Sequence, residues 1–276
     1  GAIEPKLRQS EIDKAIRKRP DSLDAYDLLL RAIQHFSTFS KEGYLEARRI
    51  LDEAIAIDPG YAQALAYGAW CRSFSVFFNW SDDVDGDRRD GLQMARAALA
   101  ADPADATTLR VVGFATSILS RDHATARAHL DQSLQLDPNS ALSHGIRGWI
   151  NIWDENVDEA KEDLERALRL SPLDTWAGHY YNGLAFVFAA QDRCEEGLPW
   201  ARKAVSAFPG WIAVHRGLAL TLGHLGRQEE AEQVVERVLE LDPNFTVSRF
   251  AESSPFKGGP AQERLFDGLL KAGLPE

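Results

Sequence analysis

The side chains able to do chemistry in this sequence are few and poorly spaced for it. His123 and His129 stand six residues apart and His215 and His224 nine apart, whereas two histidines that hold zinc from one helix must lie four apart to share a face. Glu229 and Glu230, like Asp82 and Asp83, are adjacent carboxylates, and neighbours on a helix do not face the same site. Asp83, Asp85 and Asp87 alternate as in a calcium loop, but Arg88 stands where that loop needs glycine and Met94 where it needs a bidentate Glu. A solvated loop or a helix cap is the expected use of these aspartates. A G-x-x-x-x-G-K phosphate loop and a G-x-S-x-G nucleophile elbow are both missing from the sequence. The expectation is a chain with no catalytic residues, no metal site and no cofactor.

The elements that would position any other function are clearer. From Pro209 to Pro243 an apolar-periodic run carries Leu218, Ala219 and Leu222 on one face. A break follows at Leu225, Gly226 and Arg227, and a second run then carries Ala231, Val235, Val238 and Leu239. Two antiparallel amphipathic helices are the economical reading. Neither can bury its stripe alone, and Pro243 cannot continue a helix, so it marks a corner.

The corner recurs. Pro20, Pro59, Pro103, Pro138, Pro172, Pro209 and Pro243 are separated by 39, 44, 35, 34, 37 and 34 residues, most preceded by Asp or Ser. With small residues at Ala219 and Ala231 and the closing Pro243, the unit resembles a tetratricopeptide repeat, whose period is about 34 residues. The resemblance implies an all-α, right-handed superhelical solenoid of antiparallel helix pairs. Residues 1–21 then read as an N-terminal cap or remnant helix, with Ile12, Ala15 and Ile16 on one face. Residues 22–243 hold six pairs, at 22–58, 61–102, 105–137, 140–171, 174–208 and 211–242, and 244–276 form a C-terminal cap ending in a helix at about 261–272. Such a cap is a physical requirement, because the last repeat would otherwise expose its stacking face. Pro199 falls near the start of a second helix, where a missing N–H costs little. The junction at 37–43 is slightly longer than the ideal one.

The largest departure is an insertion near 75–88, with the flanking helices expected to end near Phe74 and to resume near Gly91. Its Phe77, Phe78 and Trp80 either cover a neighbouring repeat or form a partner-binding tip. With Phe266 of the last helix they are also the candidate surface for self-association.

Composition narrows the partners. At 276 residues and 45% hydrophobic, the chain can fill a long body without one central core. Acidic residues outnumber basic ones by 42 to 31, a net charge of −11, which argues against nucleic acid and anionic membranes. The densest basic run, Arg17, Lys18 and Arg19, sits at an expected helix end, where positive charge is locally favourable. Cys71 and Cys194 lie in apolar runs and read as buried thiols of a reducing, cytoplasmic setting. The uncharged run at 175–191 is too short and too polar for a membrane span. Gly1 at the start and Met94 as the only methionine suggest a piece of a longer protein, with Gly1 and Ala2 as added residues.

Counting back from each corner proline gives the residues of the inner, groove-facing surface. They are Tyr26, Leu29 and Phe36; Trp70 and Phe74; Arg110 and Phe114; Trp149, Ile152 and Trp153; His179, Asn182 and Phe186; and Arg216 and His224. The candidate ligand set within them is Trp70, Phe74, Arg110, Phe114, Trp149, Trp153, His179, Asn182, Phe186 and Arg216. Aromatic and Arg anchors suit a peptide, with Arg110 and Arg216 for carboxylates and Asn182 for a peptide backbone. A tightly wound superhelix would instead bury these aromatics against adjacent helices.

Nearly the whole chain also resembles the C-terminal repeat region of bacterial class III adenylate/guanylate cyclases and of some winged-helix regulators. The residues that carry this are 23–31 (LDAYDLLLR), 54–62 (AIAIDPGYA), 170–174 (LSPLD), 245–249 (FTVSR) and 272–276 (AGLPE). What the resemblance implies is a regulatory or scaffolding module that binds protein or peptide, attached to a catalytic domain not contained in this chain. Two alternatives stay open. One is a homo-oligomerising structural module, and the other is a small-molecule sensor, which a closed polar pocket would favour.

Overall fold

Each helix ends where the chain chemistry forbids another turn. At the corners Asp58, Asp102, Asp137, Ser171, Phe208 and Asp242 take φ between −132° and −145°, out of the helical region, as the following proline ring requires. Aspartate suits this place. Its Oδ1 accepts the N–H two residues on, from Gly60, Ala104 and Asn244, at 3.1 Å in each case. The next helices start on capping side chains, Asp105 for Thr108 N and Ser140 for Ser143 N.

The computed structural model describes residues 23–36, 38–172 and 176–276. Within them the first helices of successive pairs are α1 (Leu23–Phe36), α3 (Ala62–Phe77), α5 (Ala106–Ser120), α7 (Ala141–Trp153), α9 (Ala177–Ala190) and α11 (Ile212–Leu225). Their partners are α2 (Lys41–Ile57), α4 (Val84–Ala101), α6 (His123–Leu136), α8 (Val157–Leu170), α10 (Cys194–Ala207) and α12 (Gln228–Leu241). Each helix packs on its partner and on the next pair. A short α13 (Val247–Ser253) and a final α14 (Pro260–Lys271) follow, and α14 covers α11 and α9. The molecule is an all-α solenoid of helix pairs. The expected helix over 11–19 and the basic run beside it lie outside the described residues.

Three local expectations change. The insertion is not mainly loop: α3 runs on to Phe77 and α4 begins at Val84, well before Gly91. Asp83 explains this, since its Oδ1 accepts from Gly86 N at 2.9 Å and caps α4. Pro199 lies past the first turn, as the sixth residue of α10, so the carbonyl one turn back lacks the usual donor. The terminal cap gains the unexpected α13, capped by Thr246 through Arg249 N.

Turns within the pairs are left-handed. Phe39, Asn79, Arg121, Glu155, Asp192 and Gly226 all have φ between 46° and 66°. Only Gly226 has no Cβ to strain there, so the five others need compensation from their surroundings. The C-terminal segment supplies it for four of them.

Candidate functional site

The inner faces of the first helices carry the aromatic residues expected there, and the superhelix closes on them. Trp70 meets Phe114 at 4.2 Å between centroids, Phe114 meets Trp153 at 5.9 Å, and Trp149 meets Trp153 and Phe186 at 5.8 and 5.3 Å. Trp149 Nε1 donates to the His179 carbonyl at 3.2 Å, and the His179 ring lies 4.5 Å from Trp211. Closure comes from Phe39, in the long junction of the first pair, whose ring touches Trp176, Phe208 and Trp211 near the opposite end. Trp70, Phe74, Phe114, Trp149, Trp153 and Phe186 are therefore buried rather than displayed. The cause is geometric: the first-pair junction reaches back to the fifth and sixth pairs, and apolar surface goes to whatever covers it first.

The polar members of the expected set behave differently. Arg110 is half-buried on α5 and takes no part in the aromatic cluster. Burial pushes the His179 imidazole down to about 3, so it is neutral. Asn182 is fully buried, and neither its Oδ1 nor its Nδ2 has a partner among the described residues. Arg216 is 4% exposed and is ringed by Phe77, Phe78, Phe245 and Phe250 at 4.0–5.9 Å. Burial lowers its pKa to about 9, against a weaker upward pull from Asp242, and it remains a cation.

The possible self-association residues also turn inward. Phe77 packs on Trp153 and Phe250, Phe78 on Phe74 and Trp80, Trp80 on Tyr44, and Phe266 on Phe250 and Phe256. They cover the chain's own interior and form no exposed aromatic patch.

What holds them is the C-terminal segment, which runs along the row of left-handed turns and takes a contact from four of the six. Asn79 donates to Ser253 Oγ at 3.1 Å and Arg121 to the Glu252 carbonyl at 2.8 Å. Glu155 caps α14 by accepting from Ala261 N and Gln262 N at 2.8 and 3.0 Å, and Asp192 pairs with Arg264. Between these, His123 Nε2 donates to the Pro255 carbonyl at 2.9 Å while its Nδ1 faces Ser117 Oγ, and Lys257 pairs with Asp154 at 2.9 Å. Phe250 and Phe256 point into the aromatic interior and line, with Asn182, His179 and Arg216, a cavity of about 20 Å³.

Counting from the prolines did not reach Phe39, Trp211, Phe250 or Phe256. The overlong 37–43 junction and the 245–249 stretch were the available signals, but neither says what the aromatic residue will touch. A second opening does reach solvent. A pocket of about 460 Å³ lies between the first-pair junction, the Phe77 to Trp80 turn and the start of the cap, with Arg216 in its wall. Among the described residues no group of three or more His, Cys, Asp or Glu side chains is placed to hold a metal ion, and no helix is long and apolar enough to cross a membrane.

The tetratricopeptide repeat family model matches residues 217–245. No curated protein sequence matches the chain. Solved structures are similar at the level of fold. PilW, a widely conserved type IV pilus biogenesis factor, gives a TM-score of 0.58 at 14% identity, covering 84% of this chain and 98% of that one. The Cut9–Hcn1 hetero-tetramer of the APC/C gives 0.64 at 15% identity, covering 83% and 43%. TTC0263, a thermophilic TPR protein of Thermus thermophilus, gives 0.56 at 18% identity, covering 72% and 98%. With the repeat spacing, the proline corners and the stacked pairs, they make the chain an all-α solenoid of tetratricopeptide-like helix pairs.

Proposed function

We propose that this chain is a non-catalytic peptide-binding module whose binding face is the row of left-handed turns and the inner surface beside it. The single observation that supports this is the segment over 246–258, already held there as a peptide would be. Its backbone carbonyls at Glu252 and Pro255 are met by Arg121 and His123, and its Phe250 and Phe256 fill aromatic sites. Docked peptide segments, helical or extended, are recognised by such a combination of hydrogen bonds and side-chain pockets. A partner peptide of similar pattern would displace the segment, and the free energy of the internal contacts sets the affinity it must exceed.

The resemblance to cyclase repeat tails extends the reading to a regulatory or scaffolding role in a signalling protein. Coupling would require the partner to favour one assembly state over another.

The test uses a fluorescent synthetic peptide spanning 246–258 and the full chain carrying Phe256→Ala, which loosens the internal segment. Saturable binding in the micromolar range, competed by unlabelled peptide and weakened by Arg121→Ala, is expected. If anisotropy stays flat up to about 1 mM peptide, a range that corresponds to about −4 kcal/mol, the reading fails.

A further inference from the structure

Arg216 has no hydrogen bond and no ion pair among the described residues, and its Nε is buried without a partner. A guanidinium taken out of water without a counter-charge costs several kcal/mol in general, and aromatic faces offset only part of that. The nearest candidate, Asp242, acts on it only at a distance, and its Oδ1 is engaged by Asn244 N at the corner. The cation is nevertheless not sealed in. It stands in the wall of the 460 Å³ pocket, a volume typical of small-molecule sites.

The rest of that pocket defines the complement. Lys41 and Arg249 join Arg216 against Glu42 and Asp242, three cations against two carboxylates. In a chain of net charge −11, this local excess of one positive charge favours a monoanion and disfavours a polyphosphate. Phe78, Trp80 and Ile212 furnish an apolar wall beside it. The geometry points to a binding site for a small amphipathic monocarboxylate, its carboxylate paired with Arg216 and its hydrocarbon or aromatic body against Phe78 and Trp80. A planar carboxylate can take two parallel N–H bonds from a guanidinium, which suits a fixed Arg better than a mobile Lys. Phe245, Arg249 and Phe250 come from the C-terminal segment, so the ligand would bridge that segment to the first helices.

This site shares Arg249 and Phe250 with the segment over 246–258, but the titration below uses the unaltered chain and no peptide, so its failure and the failure of the peptide reading are distinguishable. Octanoate and 4-phenylbutyrate, each against its own amide and against inorganic phosphate, are titrated calorimetrically, with the intrinsic tryptophan fluorescence of the chain as the second readout. The expected result is one-to-one binding of at least one acid, about tenfold or more tighter than its amide. Arg216→Met should abolish it, while Arg110→Ala, outside the pocket, should leave it unchanged. Equal affinity for acid and amide, or binding of phosphate alone, would overturn the proposal. So would the absence of binding by both acids up to about 10 mM, a limit near −3 kcal/mol, or undiminished binding by a folded Arg216→Met chain. If that variant does not fold, the acid-against-amide comparison on the unaltered chain decides alone.

Discussion

The Arg216 guanidinium lies 4.0 Å from the centroid of the Phe250 ring, a cation from the sixth helix pair stacked on an aromatic side chain of the C-terminal segment. That contact joins the solenoid to its own tail at a buried cation that no anion among the described residues answers. Stability and binding therefore pull Arg216 in opposite directions. Arg216→Met, which keeps volume and removes the charge, is expected to stabilise the fold by about 1 kcal/mol. Arg216→Lys, a more strongly hydrated cation, should destabilise it by about 1–3 kcal/mol. Urea unfolding of the two variants checks both signs.

Asn182 and Gly217 form a second coupled pair. A Cβ on Gly217 would sit 2.1 Å from Asn182 Oδ1 and 3.2 Å from Phe186 Cε2. Gly217→Ala should cost about 1–3 kcal/mol despite the better helix propensity of alanine. Asn182→Ala removes the closer obstacle, so the double variant should recover much of the loss. A double-mutant cycle measures that coupling, and simple additivity of the two changes would refute the contact.

Away from the aromatic interior, the buried Asp163 gathers Arg147 through two bonds of 2.8 and 2.6 Å, with His144 at 3.1 Å and Asn151 at 3.2 Å. Burial alone would raise its pKa, but the hydrogen bonds from His144 and Arg147 outweigh that and hold it below the ordinary value. The stabilisation is thus present above about pH 4 and is lost as pH falls through the lowered pKa. Asp163→Asn should cost about 3 kcal/mol at pH 7, and the difference from the parent chain should shrink at acidic pH. Thermal unfolding of both chains at pH 7 and pH 3.5 reads this directly.

Histidines make the fold acid-sensitive at higher pH. Burial lowers His123, His129, His179, His215 and His224, with His179 down to about 3. Below about pH 6.5 the unfolded chain binds protons that the folded chain refuses, so stability should fall steadily towards pH 4.5 and stay level above pH 7. His179→Phe keeps a ring beside Trp211 and should flatten that slope. A slope identical to the parent chain's would show that His179 titrates normally.

Glu155 couples the fourth pair to α14. Its carboxylate accepts from both Ala261 N and Gln262 N, while its own backbone is held at φ 65°. Glu155→Ala should destabilise the C-terminal helix by about 1 kcal/mol. Hydrogen exchange should show faster amides in 260–271 with the first pair unchanged. Protection identical to the parent chain across 260–271 would remove Glu155 from that role.

The repeat architecture was legible in the residues because its determinants act locally. Proline bars the next turn, the preceding Asp satisfies the corner, and the spacing of Ala219 and Leu222 or Ala231 and Val238 aligns one apolar face per helix. These effects operate within one repeat and need no knowledge of the rest of the chain. Counting back from the corners also gave Trp70, Phe114, Trp149 and Phe186 as groove-facing, and the structure buries them. Which surface would cover them was not local information. A periodic stripe states that a face must leave water, and it is silent on whether a partner or the chain's own tail removes it. Only the tertiary structure brings Phe39 onto Trp211, lays 246–262 across Asn79, Arg121 and Glu155, and turns Arg216 from a groove-facing cation into a buried one with no ion pair among the described residues. Those contacts join residues far apart in sequence, and their formation depends on the small rotation accumulated over six stacked pairs.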